Sequence, residues 1–407
     1  MKQSTNHQQT DYDIIIVGGG MVGLSVAAGL AENYKIALVD SSELSSVIPK
    51  KIGIRVSAIT RGSENWLKQL NAWQQIPEER LSSYRQMKVW DAQGKGELSF
   101  SAQQVAEPNL GHIVENAVIQ AGLLKAISAM IDNGQITLIT HQKIEKLLID
   151  KDDARIVFED ESKPNNSLSS KLIIAADGAN SWVRNYLSFP MNIEPYQQSA
   201  LVALIESENS HQRTAWQRFL PSGPLAFLPM KAQNLHSIVW SLDENLIEQQ
   251  LSSPKDVFES ALEEAIQHKF GSLKLVSDRA VFPLIARHAN SYTQHRVVLV
   301  GDAAHSIHPL AGQGVNLGFK DAKALVDCIK KGFAESSDPG AKRYLREYQR
   351  LRMGDNLQVQ KSMSIIKQGF ANEQKLISYL RNMGMDLIDN EPSLKKTMIK
   401  TAMGFTN

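Results

Sequence analysis

Cysteine is almost absent: the 407-residue chain has one, Cys328. A single thiol forms no internal disulfide and no multi-cysteine metal site, so the chain suits a reducing compartment, most simply the cytoplasm. Its apolar neighbours Ala324, Leu325, Val326 and Ile329 favour a core thiol over a reactive one. An excess of one charge is also missing. The 44 basic and 43 acidic residues leave a formal net charge of +1, which argues against electrostatic binding of nucleic acid. There is no run of about 18 apolar residues, so no membrane-spanning helix is expected. The polar stretch Met1–Tyr12 lacks the apolar centre of a signal peptide. No His, Cys, Asp or Glu cluster has metal-ligand spacing, so no metal is expected. A G-x-S-x-G nucleophile elbow is absent too.

The length and the 43% of hydrophobic residues suit two globular domains, or one interrupted by another. The apolar run Asp13–Val17 reads as a buried parallel strand. Glycines follow at Gly18, Gly20 and Gly23, then a helical stretch, then a second strand ending at Asp40. In this spacing Gly18 permits a tight turn, Gly20 lets a pyrophosphate approach the backbone, and Gly23 lets helix and strand pack closely. The helix N-terminus offers free N–H groups to the phosphates. Asp40 would accept hydrogen bonds from a ribose and disfavour a 2′-phosphate, so the unit suits FAD or NAD rather than NADP. No second complete unit of this kind occurs.

Two further glycine turns follow apolar strands. Asp177-Gly178-Ala179-Asn180-Ser181 comes after Leu172–Ala176 and, read alone, is equally a capped helix start. Gly301-Asp302-Ala303-Ala304-His305 comes after Val297–Val300 and leads through Pro309 to Gly312-Gln313-Gly314-Val315-Asn316. A carboxylate at a strand's end, a glycine loop and a helix N-terminus together make a polar ligand site that favours negative charge.

In this order and spacing the three motifs resemble those of the class A flavoprotein monooxygenases, the p-hydroxybenzoate hydroxylase-like aromatic hydroxylases. Four more patches narrow the resemblance to the ubiquinone-biosynthesis hydroxylases: Arg55-Val-Ser-Ala58, Leu110–Asn116 with Gln120, Pro221–Pro229, and Gly384–Lys395. The resemblance implies an α/β fold in which a Rossmann-like FAD-binding domain is interleaved with a β-sheet substrate domain and followed by C-terminal helices. The expected boundaries are 1–80, 108–187 and 280–340 for the FAD domain, 81–107 and 188–279 for the β-rich domain, and 341–407 for the helical segment. By position, Gly18, Gly20, Gly23 and Asp40 would hold the ADP half of FAD, Arg55 and Gln120 would line the cofactor, and Asp177 and Gly178 would serve FAD or NAD(P)H. Gly301 and Asp302 would meet the ribityl chain, and Pro309 and Gly312–Asn316 the flavin ring. Many relatives carry Glu where Asp40 stands, so the ribose contact here is one methylene shorter.

The implied reaction uses NAD(P)H as co-substrate and O2, through a flavin C4a-hydroperoxide, to hydroxylate the ring of a polyprenylated phenol or quinol. Flavin carries that chemistry. His305 and Pro309 are expected near it, with a structural or FAD-orienting role favoured for His305. His308 is ambiguous in the same way. Candidate substrate-lining residues are Phe219, Leu225, Phe227, Leu228 and Trp240, whose alternating strand pattern a plain core would also give. A same-fold flavoenzyme acting on a soluble aromatic or isoprenoid substrate, or a non-catalytic FAD-binding scaffold, stays open. So do self-association, other ubiquinone-biosynthesis partners and peripheral contact with the inner membrane. In the tail, Met383, Met385, Leu387, Ile388, Leu394, Met398 and Ile399 stand among lysines, a pattern that suits a membrane surface or a protein partner, with ordinary packing against the FAD domain favoured.

Overall fold

The computed structural model describes residues 10–94, 96–160, 166–307, 314–335, 338–371, 382–385 and 388–405. Along the chain, β1 (Tyr12–Val17), α1 (Met21–Leu30) and β2 (Ile36–Val39) come first. β3 (Val56–Thr60) and α2 (Arg61–Gln69) precede β4 (Ser82–Tyr84), β5 (Gln86–Asp91), β6 (Glu97–Ser101) and β7 (Gly111–Glu115). Helices α3 (Asn116–Ala126) and α4 (Ser128–Asp132) lead to β8 (Ile136–Ile139), β9 (Ile144–Ile149), β10 (Ala154–Phe158) and β11 (Ser167–Ala175). Then follow α5 (Trp182–Tyr186), β12 (Met191–Ser207), β13 (Thr214–Leu220), β14 (Gly223–Pro229) and β15 (Leu235–Asp243). α6 (Glu244–Ser252) and α7 (Lys255–Ala265) lead to β16 (Leu273–Leu275), β17 (Ala280–Ala289), β18 (Thr293–Gln294), β19 (Val297–Leu299) and β20 (His305–Ser306). The chain ends with α8 (Gly314–Glu335), α9 (Lys342–Ala371) and α10 (Pro392–Ala402).

Five strands pair in parallel in the order β8-β2-β1-β11-β19. In chain order that is third, second, first, fourth, fifth, the doubly wound arrangement. These strands are short apolar runs because both faces are covered. Ile14, Ile15, Ile16, Ile173 and Ile174 are all fully buried, and α1 packs between α3 and α8. β9 and β10 extend the sheet from β11, and β18 adds an antiparallel edge.

The second sheet has nine strands, in the order β20-β17-β12-β15-β14-β13-β5-β6 with β16 on β12. All its pairs are antiparallel except β13–β5. A smaller sheet, β3-β7-β4, lies between the two and shares a core with the nine-stranded sheet through Ala58, Ile113, Leu204 and Ala215.

Strand pairing runs across the expected domain seams. β17, expected within the FAD domain, pairs along β12, and β4, expected within the β-rich domain, pairs with β7. Both pairings join distant segments and leave no mark in the local pattern. The lone thiol of Cys328 is buried, and burial pushes it up to about 11, so it is inert at neutral pH. In the tail Met385 and Ile399 are buried, while Met383, Leu394 and Met398 are exposed; Leu387 lies outside the described residues. Among the described residues no helix is long and apolar enough to cross a membrane.

Candidate active site

All three glycine motifs leave the carboxyl ends of neighbouring parallel strands, β1, β11 and β19. In a doubly wound sheet that is where ligands bind. Gly18 has φ +108, and a Cβ there would run into the Ala176 carbonyl, so the first two motifs touch. A Cβ on Gly23 would strike the Gly18 carbonyl. Gly20, the residue before α1, differs: a Cβ there would meet nothing within 4 Å. The same holds at Gly178, φ +82, and at Gly314. The first pair of glycines closes the turn, and a Cβ on any of the other three would meet no described residue within 4 Å.

Polar side chains hold these turns in place. Asp40 accepts the Gly19 N–H at 2.7 Å through one oxygen and the Ser42 N–H at 2.8 Å and hydroxyl at 2.6 Å through the other. Gln120 donates to the Gly19 carbonyl at 2.7 Å. Asp177 accepts the Val183 N–H at 3.1 Å with one oxygen, and its other oxygen is buried without a hydrogen-bond partner among the described residues. Burial pushes this carboxyl above the usual range, against hydrogen bonds from Ser181 and the α5 backbone. Glu115, in the Leu110–Asn116 segment, accepts from Arg80 at 2.8 and 2.6 Å and from the Gly53 N–H at 2.5 Å. Asn116 N–H donates to the Arg55 carbonyl at 3.0 Å. These bonds fix the approach to Arg55, whose exposed guanidinium lies 5.1 Å from the centre of the Phe282 ring.

The third motif is anchored more deeply. Asp302 stays open to solvent although protein crowds it. That crowding pushes its carboxyl up, with Asp321 adding and His305, Arg55 and Arg287 opposing. His305 is buried, and its Nε2 lies 2.5 Å from Asp321 on α8. Asp321, with no exposed surface, also accepts from Arg352 Nε at 2.8 Å and Asn356 Nδ2 at 3.0 Å, both on α9. Burial would raise its carboxyl, but His305 and Arg352 outweigh that and hold it below the usual range. Removing one member of such a buried pair costs roughly 3–5 kcal/mol. Asn316 is spent on structure too: its amide accepts from Thr60 N–H at 3.0 Å and donates to the Ala58 carbonyl at 2.8 Å. Pro309, Gly312, Gln313 and His308 lie outside the described residues.

Sequence reading gave no role to Arg184, Asp321 or Arg352. Arg184 is buried and donates to the Ala179 carbonyl at 2.9 Å and the Ala303 carbonyl at 3.1 Å, tying the second motif to the third. Asp321 left a signal: it falls between Leu317 and Leu325 at helical spacing, a charge on an apolar stripe.

The residues expected to line the substrate divide between the two faces of the sheet. Leu225, Phe227 and Trp240 are buried in one core with Ile247 of α6 and Phe258 and Leu262 of α7. Successive strand residues point to opposite faces, so the other face of β14 and β15 carries Ala226, Leu228 and Val239. Leu228 packs toward Ala58 and Ile113, on the side of the small sheet. Phe219, paired with Pro224, also belongs to that face and stacks on Phe370 of α9, centroids 3.8 Å apart. Ala226, Leu228, Val239 and, on β17, Phe282 remain partly exposed among the described residues, although they lie within a nine-stranded sheet.

A sequence model of the FAD binding domain family matches residues 11–353. The chain is 33% identical over 400 residues to 3-demethoxyubiquinol 3-hydroxylase of Escherichia coli (strain K12), covering 96% of this chain and 98% of that protein. It is 32% identical over 450 residues to the mitochondrial ubiquinone biosynthesis monooxygenase COQ6 of Danio rerio, covering 98% and 91%. The chain belongs to the class A flavoprotein monooxygenases related to the ubiquinone hydroxylases. Its fold is also that of p-nitrophenol 4-monooxygenase PnpA from Pseudomonas putida DLL-E4, with TM-score 0.78 and 15% identity over 97% of this chain and 99% of that one.

This FAD-dependent monooxygenase has a crevice that fits the cofactor. Gly20, Gly178 and Gly314 leave open the surface a dinucleotide would cover. The unpartnered Asp177 oxygen is a buried acceptor that a ligand donor would satisfy.

Proposed function

We propose that this chain hydroxylates the aromatic ring of a polyprenylated phenol or quinol in ubiquinone biosynthesis, with NAD(P)H as the electron donor. One observation carries the reading: the match to 3-demethoxyubiquinol 3-hydroxylase runs through 98% of that protein, so it spans both the FAD crevice and the sheet that faces it. When bound and reduced, FAD would activate O2 and supply one oxygen atom to the ring.

The chain's own residues then bind, orient and exclude water. In this reading Gly18, Gly20, Gly23 and Asp40 hold the ADP half, with the N–H groups at the start of α1 turned to the pyrophosphate. Arg55, Gln120, Asp177 and Gly178 border the cofactor. Gly301 and Asp302 meet the ribityl hydroxyls. The N-terminus of α8, with Gly314, Val315 and Asn316, lends its positive end to the edge of the flavin where negative charge gathers. Ala226, Leu228, Val239 and Phe282 offer an apolar wall to the ring and the start of its tail, which keeps water from the reacting atoms. His305 is engaged with Asp321 and serves as an anchor rather than a base. The reading puts the enzyme at the cytoplasmic surface of the inner membrane, where its substrate resides.

Lipid extracts of a strain lacking this gene test the proposal. Mass spectrometry should find ubiquinone depleted and a polyprenylated precursor short of one hydroxyl accumulating, both reversed by a plasmid copy. Normal ubiquinone with no such precursor would reject it.

A further inference from the structure

The turn that carries Asp302 is gripped from two sides. On one side, Arg184 donates to the Ala303 carbonyl at 3.1 Å. On the other, His305, three residues after Asp302, reaches Asp321 on α8 at 2.5 Å. Asp321 in turn collects Arg352 and Asn356 from α9 at 2.8 and 3.0 Å. Arg352 Nη2 closes the ring on Asn356 Oδ1 at 2.8 Å. Asn356 also donates to the Tyr292 hydroxyl at 3.3 Å, which lies 3.1 Å from His288 Nε2 on β17, the strand beside β20.

We propose that Asp321 is a positioning residue for the flavin, and that Arg352 and Asn356 make the first half of α9 part of the cofactor site. Asp321, Arg352, Asn356, His305 and His288 are all buried, whereas Asp302, three residues before His305 along the backbone, is exposed. A buried carboxylate must keep its partners or bear the full cost of lost solvation, so the network admits little play. Stability alone gives no reason for a charge here. Replacing the whole buried set by apolar residues, with a leucine at 321 continuing the stripe of Leu317 and Leu325, is the kind of change that is often neutral or stabilising, whereas a leucine at 321 alone would strand Arg352. What an apolar side chain would not do is hold His305, and through it the backbone that presents Asp302. The family match ends at residue 353, so Asn356 and the rest of α9 lie beyond it.

The test uses purified full-length protein and needs no substrate, so its failure is distinct from failure of the proposed function. Asp321→Asn keeps the shape and removes the charge. Lys395→Met serves as control, because it breaks the ion pair of another buried charge, Lys395 on α10, with the partly exposed Asp389 at 2.6 Å. FAD dissociation constant, visible flavin spectrum, flavin midpoint potential and melting temperature are measured for each. Both variants should melt lower. D321N alone should weaken FAD by about tenfold or more and shift the flavin spectrum and potential. Arg352→Met should behave like D321N, and Arg352→Lys, which keeps the cation, should recover most of the lost affinity. The proposal is overturned if D321N melts lower yet keeps wild-type FAD affinity, spectrum and potential, as K395M should. If D321N does not fold, R352M and R352K decide on the same readouts: unchanged flavin properties in R352M overturn the proposal.

Discussion

The two faces of the nine-stranded sheet are built from the same strands and meet different surroundings. On one, Leu225, Phe227 and Trp240 interlock with α6 and α7 and are buried. On the other, their immediate neighbours Ala226, Leu228 and Val239 are smaller on the whole and partly exposed, opposite the small sheet. The glycine turn after β1 repeats the contrast: Gly18 and Gly23 are pressed against backbone, and Gly20, between them, faces open space. In both places the bulky or crowded positions hold the fold together, and the small or open ones are those that the proposed function assigns to a ligand. Stability and activity should therefore separate residue by residue along one strand.

Four substitutions can break that contrast. The largest effect is expected at Phe227→Ala, on the sealed face. Removing a fully buried ring should cost about 3–5 kcal/mol in denaturant unfolding, while FAD affinity per folded molecule stays at the wild-type value. Next comes Gly20→Val. Its backbone, φ -70 and ψ 176, accepts any side chain, so stability should hold within about 0.5 kcal/mol. FAD titration should show affinity falling about a hundredfold, near 2.7 kcal/mol. Val239→Phe, which fills space on the open face, should lower kcat/KM about tenfold, near 1.4 kcal/mol, with little change in melting and normal FAD binding. Leu225→Met, a volume-conserving change on the sealed face, should move stability by about 1 kcal/mol or less and leave turnover alone. A loss of turnover in L225M without a loss of stability would reverse the assignment of the faces.

The crevice was legible because each of its parts is local. A strand, a glycine turn and a helix start follow one another in sequence, and Gly18, Asp177 and Asp302 each mark one strand end. The faces of the second sheet were not legible. The stretch Leu225-Ala226-Phe227-Leu228 is apolar at every position, so the period of two that tells the faces apart is silent. Bulk then drew the substrate expectation to Leu225, Phe227 and Trp240, which are large because they fill the space under two helices. The seams at β4 and β17 depend on pairing between segments far apart in the chain, such as Val202 with Ala280. Asp321 could have been found as a charge on an apolar helix stripe, but its partners on β20 and α9 come together only in the fold.

The central claim is that the ring is held on the open face of this sheet. Its most direct test compares Val239→Phe with Phe227→Leu under isotopically labelled O2, using a short-chain prenylated phenol and counting labelled hydroxyl product per flavin. Wild-type protein should place label in the ring. F227L should still do so although it melts lower, and V239F should lose about nine-tenths of the product while retaining FAD and its melting temperature. Product lost in F227L and preserved in V239F would put the substrate on the other side of the sheet and contradict the account.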